Sequence, residues 1–298
     1  MSNCIDANLL HELSVGNQLG EGVQWHQETQ AVWWTDIEGC CLFSYSLITT
    51  EITKHPMPER VGCFSFIEHD QRLLIAFASG VALFDLETNN IEWLAQPELT
   101  IQGNRFNDGR VDRQGRFWAG TMVEHKHSPK QSASLYCQSS KNSCIKSLEN
   151  IQISNGLCWS PDGTVMYHAD SPTQTIYQYE FDLISGKPHD KRLFMKLDGG
   201  CFPDGSCIDS NGFLWNAQWG GAQVVRYSPD GKVDFVLPVP TKQPSCVAIG
   251  GPEMDLLFIT SAKQDLSEQE LKNDKQAGNL FIYQLSGVKG IVEPKVSW

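Results

Sequence analysis

The sequence predicts an all-β fold, a six-bladed β-propeller, from the repetition of one pattern. Short apolar runs recur every 41 to 49 residues, a period typical of propeller blades. Each run follows a polar four-residue turn, in most repeats rich in Asp, Asn, Pro or Gly, as expected for the second strand of a hairpin. The second bulky residue of each run, which we call its anchor, is Trp34, Ile75, Trp118, Tyr167, Trp215 or Phe258.

Each repeat holds three or four strands, because an apolar strand precedes the turn and an aromatic-alternating strand follows the anchor. Amphipathic helical patterns are scarce, and the best one spans 265–275. A β-sandwich or a β-helix would not give six units of this length. We expect a single domain over 1–298, in which 1–16 completes the blade built by the C-terminus, since closure removes exposed sheet edges.

Composition narrows the classes of partner. The chain has 298 residues and a formal charge of −12, which would repel the phosphates of a nucleic acid. It shows neither a signal-peptide pattern nor an apolar run long enough to span a bilayer. Its ten cysteines are scattered without CxxC pairs, which favours free thiols in a reducing compartment. We therefore expect a cytoplasmic protein, a monomer or weak homodimer, without nucleic-acid or membrane partners.

Polar residues at a shared position predict a binding site on the propeller axis. Glu21, Asn107, Asn155 and Asp204 lie 11 to 13 positions before the anchors of their repeats. Equivalent positions in a closed ring lie at one end and converge on its axis, so we expect these residues in loops that feed the innermost strands. Carboxylate and amide oxygens suit Ca²⁺, Mg²⁺ or Mn²⁺, and Zn²⁺ also accepts carboxylates.

Each of these four residues is followed by glycine, immediately or one residue later. Taken singly, an Asn-Gly or Asp-Gly pair would simply mark a turn, but the coincidence in four repeats favours a site. The remaining two blades carry Cys63 and Cys246 at the equivalent position, which predicts an open or apolar side of the pocket. Motifs of serine hydrolases, zincins and P-loop proteins are absent from the sequence.

Several segments occur in an order that matches a known family through nearly the whole chain. They are Leu19-Gly20-Glu21-Gly22, Arg105-Phe106-Asn107-Asp108-Gly109, Ala119-Gly120-Thr121-Met122, Ser154-Asn155-Gly156 and Pro203-Asp204-Gly205. These segments resemble the SMP-30/gluconolactonase/regucalcin family. The resemblance implies a six-bladed propeller that uses one divalent cation to hydrolyse sugar lactones.

The resemblance also implies roles for individual residues. Glu21, Asn155 and Asp204 would ligate the cation, while Arg105 and Asn107 would contact the substrate. Family members can use an acid just after the Gly-Thr-Met segment for the substrate. Here that residue is Glu124 or its neighbour His125, so this contact stays open between the two.

The leading hypothesis is hydrolysis of an aldonolactone to its aldonic acid, with the cation polarising the ring carbonyl. Asp204 is the candidate catalytic residue, which either deprotonates the attacking water or only orients it beside a hydroxide held by the ion. Calcium is the favoured cation, with zinc, manganese and magnesium as alternatives. Two other functions remain: a calcium-binding regulatory protein of the regucalcin type, and a promiscuous propeller esterase or organophosphatase.

Overall fold

The computed structural model describes residues 5–124 and 131–298. Within these ranges the chain forms six four-stranded antiparallel sheets, so the predicted six-bladed propeller is confirmed. Consecutive strands pair as neighbours in each blade, which is the up-and-down order expected when short turns connect antiparallel strands. The one departure is the closing blade, where the first strand of the chain joins the last three.

The chain begins with β1 (Asp6–Leu13), which pairs with the last strand. From the innermost strand outwards, blades 1 to 3 consist of β2 (Gly20–His26), β3 (Ala31–Asp36), β4 (Cys41–Ser46) and β5 (Ile52–Pro56); β6 (Val61–Ile67), β7 (Asp70–Phe77), β8 (Gly80–Phe84) and β9 (Ile91–Ala95); and β10 (Asn104–Val111), β11 (Phe117–Val123), β12 (Ala133–Ser140) and β13 (Ser143–Ile151).

Blades 4 to 6 follow the same plan. They consist of β14 (Ser154–Trp159), β15 (Val165–Asp170), β16 (Thr175–Asp182) and β17 (Lys187–Lys196); β18 (Phe202–Ile208), β19 (Leu214–Trp219), β20 (Gln223–Tyr227) and β21 (Val233–Pro238); and β22 (Pro244–Gly250), β23 (Leu256–Ser261), β24 (Leu280–Ser286) and β1. A short 3₁₀ turn (Ser171–Thr173) follows β15, and the helix α1 (Glu268–Asn273) lies within the predicted segment 265–275.

The core lies between neighbouring blades, since each sheet buries both faces of its inner strands. Every residue of β14 and β22 is buried, whereas the outermost strand β17 is largely exposed. All six anchors lie in the second strands of their blades, where they are at most 3% exposed. Burial of these large side chains supplies much of the hydrophobic free energy that holds the blades together.

In blades 3 and 5 a buried aspartate at the first hairpin turn forms a hydrogen bond with the anchor tryptophan. Asp112 accepts a hydrogen bond from the indole Nε1 of Trp118 at 2.9 Å, and Asp209 accepts one from Trp215 at 3.0 Å. Arg226 adds a buried ion pair to Asp209, with its Nη2 2.7 Å from the carboxylate. These carboxylates fix the tight turns while satisfying tryptophans that would otherwise bury an unpaired donor.

The C-terminal segment, which follows β24, crosses one end of the propeller. This is the end opposite to the one at which the inner strands begin. Its backbone amides bond to turns of different blades: Gly290 donates to Met254 at 2.7 Å, and Val296 donates to Phe66 at 2.9 Å. Ser297 donates to Gly115 at 3.1 Å. The segment therefore links blades 6, 2 and 3 at this end of the propeller.

Two further findings concern the described ranges. Their nine cysteines are all free thiols, seven of them buried. None of the helices is long and apolar enough to cross a membrane.

We predict that Asp209→Ala destabilises the protein by about 3–5 kcal/mol, because it leaves the buried Arg226 guanidinium and the Trp215 indole without a shared acceptor. Urea unfolding measures the loss. The matched control is Asp230→Ala in the same blade, whose carboxylate is exposed and pairs with Lys232 and Ser228; it should leave the midpoint unchanged. Equal midpoints for the two variants would contradict this account.

Candidate functional site

The predicted site residues occupy one irregularity that is repeated around the axis. In each innermost strand the pairing register with the second strand shifts near the start, as it does between Asn155 and Cys158 and between Pro203 and Ser206. The four residues that we expected in loops before the inner strands therefore lie within those strands, at the bulges. They are Glu21, Asn107, Asn155 and Asp204. A bulge breaks the strict alternation of side chains, so it turns polar groups towards the axis.

Glycine makes two of these bulges possible. Gly22 and Gly156 follow Glu21 and Asn155 with φ of 58° and 62°, a left-handed conformation that costs other residues free energy. The Asn-Gly pair of blade 4 is thus a strand bulge and not the simple turn that the sequence also allowed.

Three carboxyl groups converge on the axis. Glu21, Asp108 and Asp204 are 8%, 7% and 5% exposed, and the carboxyl groups of Glu21 and Asp204 are in hydrogen-bond contact. Burial, with the nearby charge of Asp108, raises the pKa of Glu21 to about 8. Burial, with the charges of Glu21 and Asp108, raises the pKa of Asp204 well above its usual range. The site therefore holds more negative charge than its surroundings compensate.

One arginine spans the channel beside this cluster. Arg110 donates from Nη1 to the Val23 carbonyl at 2.9 Å and from Nη2 to the Val247 carbonyl at 3.0 Å, so it links blade 3 to blades 1 and 6. Burial outweighs the charges of Arg105 and Arg110, both of which lower the pKa of Glu21. Three carboxylates and one guanidinium would leave a net charge of about −2 if every acid were ionised.

This donor set fits a divalent cation. Glu21 and Asp204 offer carboxylate oxygens, Asn155 offers an amide oxygen, and such hard ligands suit a divalent ion with oxygen preference. A double positive charge would balance the uncompensated carboxylates. Asp108 is a further acid at this point, and its Oδ2 already accepts the Leu157 amide at 3.1 Å.

A chain of hydrogen bonds fixes the orientation of the two amides. Ser171 Oγ donates to the Pro203 carbonyl at 2.7 Å, so it accepts from Asn155 Nδ2 at 2.8 Å. Asn155 Oδ1 accepts from Asn107 Nδ2 at 2.8 Å, and that same Nδ2 also donates to the Ser154 carbonyl. Because carbonyls only accept, each amide can adopt just one orientation. Asn155 therefore keeps one oxygen lone pair free for a cation.

The chain continues from Asn107 to the remaining predicted residues. Arg105 Nη1 donates to Asn107 Oδ1 at 2.8 Å, and Arg105 Nε donates to Glu124 Oε1 at 2.9 Å. Glu124 also accepts hydrogen bonds from both terminal guanidinium nitrogens of Arg60, at 2.7 and 2.8 Å. Burial alone would raise the pKa of Glu124, but the hydrogen bonds from Arg60 and the charge of Arg105 lower it.

The structure thus brings together all six predicted site residues: Glu21, Arg105, Asn107, Glu124, Asn155 and Asp204. The alternative residue His125 lies outside the described ranges. Cys63 and Cys246 are buried, and each packs against a glycine of a neighbouring inner strand, Gly109 or Gly205, which lacks a side chain.

Sequence reasoning missed Asp108, Arg110 and Arg60. Asp108 and Arg110 belong to the same quoted segment as Asn107, but a search for one polar residue per blade selects only one of them. The high density of charged residues in that segment could have indicated both of them. Arg60 had no such signal, because it precedes the inner strand of a blade whose equivalent position is Cys63.

Among the described residues, the acids and histidines whose ligand atoms all lie within 4.8 Å of one another form a surface group, a spacing that Glu21, Asp108 and Asp204 do not reach as a set of three. Glu180, His189 and Asp190 lie close together on the surface of blade 4. All three are exposed, and Arg192 already donates to Glu180 at 2.5 Å. Exposed acids keep their hydration, so this group does not require an ion.

Fold and axis together define a class: a six-bladed propeller on whose axis buried carboxylate and amide oxygens converge. Residues 19–263 match the model of the family described as SMP-30/Gluconolactonase/LRE-like region. The chain belongs to this family, which confirms the resemblance read from its motifs.

Individual relatives cover nearly the whole chain. L-arabinolactonase of Azospirillum brasilense is 37% identical over 270 residues, 90% of this chain and 89% of the relative. 6-Deoxy-6-sulfogluconolactonase of Pseudomonas putida is 34% identical over 279 residues, 93% of this chain and 94% of the relative. The solved structure of regucalcin, a calcium-binding protein from Agrobacterium tumefaciens, matches with a TM-score of 0.89 and 31% identity over 97% of this chain and 98% of its own.

The raised pKa of Glu21 predicts a pH dependence of stability for the metal-free protein. Its pKa is about 8 when folded, against an ordinary value of 4.5. Between these values the folded state keeps a proton that the unfolded state has lost. The contribution is therefore fully present below about pH 4.5 and is lost as the pH rises towards 8, by at most about 1.4 kcal/mol per pH unit.

Urea unfolding of chelator-treated protein at a series of pH values measures this slope. Glu21→Gln should flatten it, because glutamine does not titrate, while Asp204 retains part of the effect in the same direction. Glu51→Gln, on the exposed edge of blade 1, is the matched control and should keep the wild-type slope. A Glu21→Gln slope as steep as wild type would assign the dependence to other groups.

Proposed function

We propose that this protein hydrolyses a sugar lactone to its aldonic acid and that the reaction depends on one divalent cation. The observation that supports this most is the burial of Glu21, Asn155 and Asp204, with Asn155 linked through Ser171 to the residue before Asp204 and through Asn107 to Arg105. The relatives named as L-arabinolactonase and 6-deoxy-6-sulfogluconolactonase favour the same substrate class.

In this proposal Glu21, Asn155 and Asp204 hold the cation. When bound, it would polarise the lactone carbonyl and lower the pKa of a neighbouring water. Calcium is the favoured ion, because the donors are all hard oxygens and because the Agrobacterium regucalcin is described as a calcium-binding protein.

Asp204 orients the attacking water by a hydrogen bond and accepts its proton. The water oxygen forms a bond to the carbonyl carbon, and the bond from that carbon to the ring oxygen breaks. The ring oxygen takes the proton that Asp204 accepted from the water and becomes a hydroxyl of the open-chain acid, which returns Asp204 to its carboxylate form. Fixing the water against the carbonyl in this way removes much of the entropic cost of the encounter.

Arg105 would donate to an oxygen of the sugar, whereas Asn107, whose two amide hydrogens already bond to Asn155 and Ser154, would accept from a sugar hydroxyl at Oδ1. Asn107 bonds to Asn155 on one side and to Arg105 on the other, so the substrate wall is continuous with the cation ligands. A cleft lined by fixed polar groups that donate and accept hydrogen bonds suits a polyhydroxylated ring better than a plain aryl ester. Glu124, with His125 as the alternative, completes the predicted substrate set.

The proposal predicts that chelation abolishes hydrolysis of aldonolactones and that a single divalent ion restores it. Acid release is followed by pH-stat on pentono- and hexonolactones with five- and six-membered rings, after re-addition of Ca²⁺, Mg²⁺, Mn²⁺ or Zn²⁺ separately. Asp204→Asn and Asn155→Ala should each lower metal-dependent turnover by at least about 100-fold, since even residues behind metal ligands cost 10–100-fold. Asp230→Asn serves as the matched control and should keep full activity.

Three outcomes would contradict the proposal. They are the absence of a metal-dependent rate above spontaneous hydrolysis, full activity of Asp204→Asn with normal metal content, and faster turnover of phosphotriesters or aryl esters than of every lactone. Calcium binding that alters association with a protein partner, without turnover of any lactone, would instead favour the regulatory function.

A further inference from the structure

Glu124 is held by a geometry that leaves it little freedom to bind substrate. Its Oε1 accepts from Arg60 Nη1 at 2.7 Å and from Arg105 Nε at 2.9 Å, which uses both lone pairs of that oxygen. Its Oε2 accepts from Arg60 Nη2 at 2.8 Å. The Arg60 fork thus grips the carboxylate in the bidentate arrangement that combines strength with fixed direction.

Arg105, in contrast to Glu124, keeps part of its hydrogen-bonding capacity available, because not all of its N–H groups are used by the protein. Its Nε is committed to Glu124, and its Nη1 donates to Asn107 Oδ1 at 2.8 Å and to the Phe106 carbonyl at 3.0 Å. Its Nη2 group makes no hydrogen bond to the described residues. The side chain is only 3% exposed, so its direction is set by these partners. Nη2 is therefore a donor of fixed direction at the edge of the site.

The order of the hydrogen-bond chain indicates which part of a substrate this donor meets. Asn107 lies between Arg105 and the cation ligand Asn155. Arg105 is thus one residue further from the carbonyl that the cation polarises. At that distance a donor contacts a ring hydroxyl, whose bonding changes little during the reaction.

We propose that Arg60 is a positioning residue that acts through Glu124 to direct the free Nη2 of Arg105 at a hydroxyl of the lactone ring. The inference rests on the proposed function. It makes Glu124 a support for Arg105, in place of the direct substrate contact expected from the sequence, and it gives a role to a residue outside the predicted set.

The test compares Arg60→Gln with Arg72→Gln. Arg72 is the matched control, because it lies in the same blade, is equally exposed at 29%, and likewise pairs with two acids, Asp70 and Glu92. Arg60→Gln should raise KM for the aldonolactone about tenfold and change kcat less than about threefold, as loss of uniform binding requires. Arg72→Gln should change neither value.

Two further variants separate positioning from general support. Arg60→Lys keeps the charge but not the fork, so it should recover part of the KM. In a Glu124→Gln background, Arg60→Gln should add little to KM, since Arg60 acts only through that carboxylate. An unchanged KM in Arg60→Gln, a fall in kcat that exceeds the rise in KM, or fully additive effects in the double variant would each overturn the proposal.

A readout without turnover keeps this inference separate from the lactonase proposal. The Arg105 Nε–H resonance, assigned by its loss in Arg105→Lys, should exchange with water at least about tenfold faster in Arg60→Gln than in wild type or Arg72→Gln. Equal exchange in all three proteins would overturn the positioning role even in an active enzyme. If wild type fails to hydrolyse any lactone, the proposed function fails and the exchange rates alone decide whether Arg60 positions Arg105.

Discussion

The architecture of the site depends on one electrostatic constraint: three carboxyl groups are buried together on the propeller axis. Glu21, Asp108 and Asp204 come from different blades, and bringing them together removes their hydration while adding mutual repulsion. Arg110, which crosses the channel, offsets only part of that charge. A divalent cation would offset the remainder. Burial and the mutual repulsion of these groups raise the pKa of both Glu21 and Asp204, so protonation of these acids relieves part of the repulsion in the metal-free protein.

The backbone meets this constraint by repeating one bulge in the inner strand of every blade. A regular strand would send alternate side chains to opposite faces of the sheet, so only a break in that alternation turns neighbouring polar groups towards the axis. Glycine also lets adjacent inner strands approach: a side chain at Gly62 would come within 2.6 Å of the Asn107 carbonyl, and one at Gly109 within 2.5 Å of the Cys63 thiol. The same inner-strand residues therefore determine both how the ring closes and how the site is arranged.

The sequence was sufficient for the blades and for part of the site, for a physical reason. Anchors such as Trp118 recur because each blade buries a large side chain against its neighbour, and repetition makes the period visible. A register measured from the anchors finds Glu21 and Asn155 because they occupy equivalent bulges. It does not find Asp108, since a bulge can expose two consecutive residues, and it does not find Arg60, whose contact with Glu124 joins positions 64 residues apart.

The hydrogen-bond chain divides the site into two halves of different origin. The proposed cation half, Glu21, Asn155 and Asp204, belongs to inner strands whose close packing allows little change. The proposed substrate half reaches outwards through Arg105 to Glu124 and Arg60, which stand where strands meet loops and are partly exposed. A substitution there can alter hydroxyl contacts while the axis keeps its charge balance. One scaffold can thus carry different lactone preferences, in agreement with relatives named for arabinolactone and for a sulfonated gluconolactone.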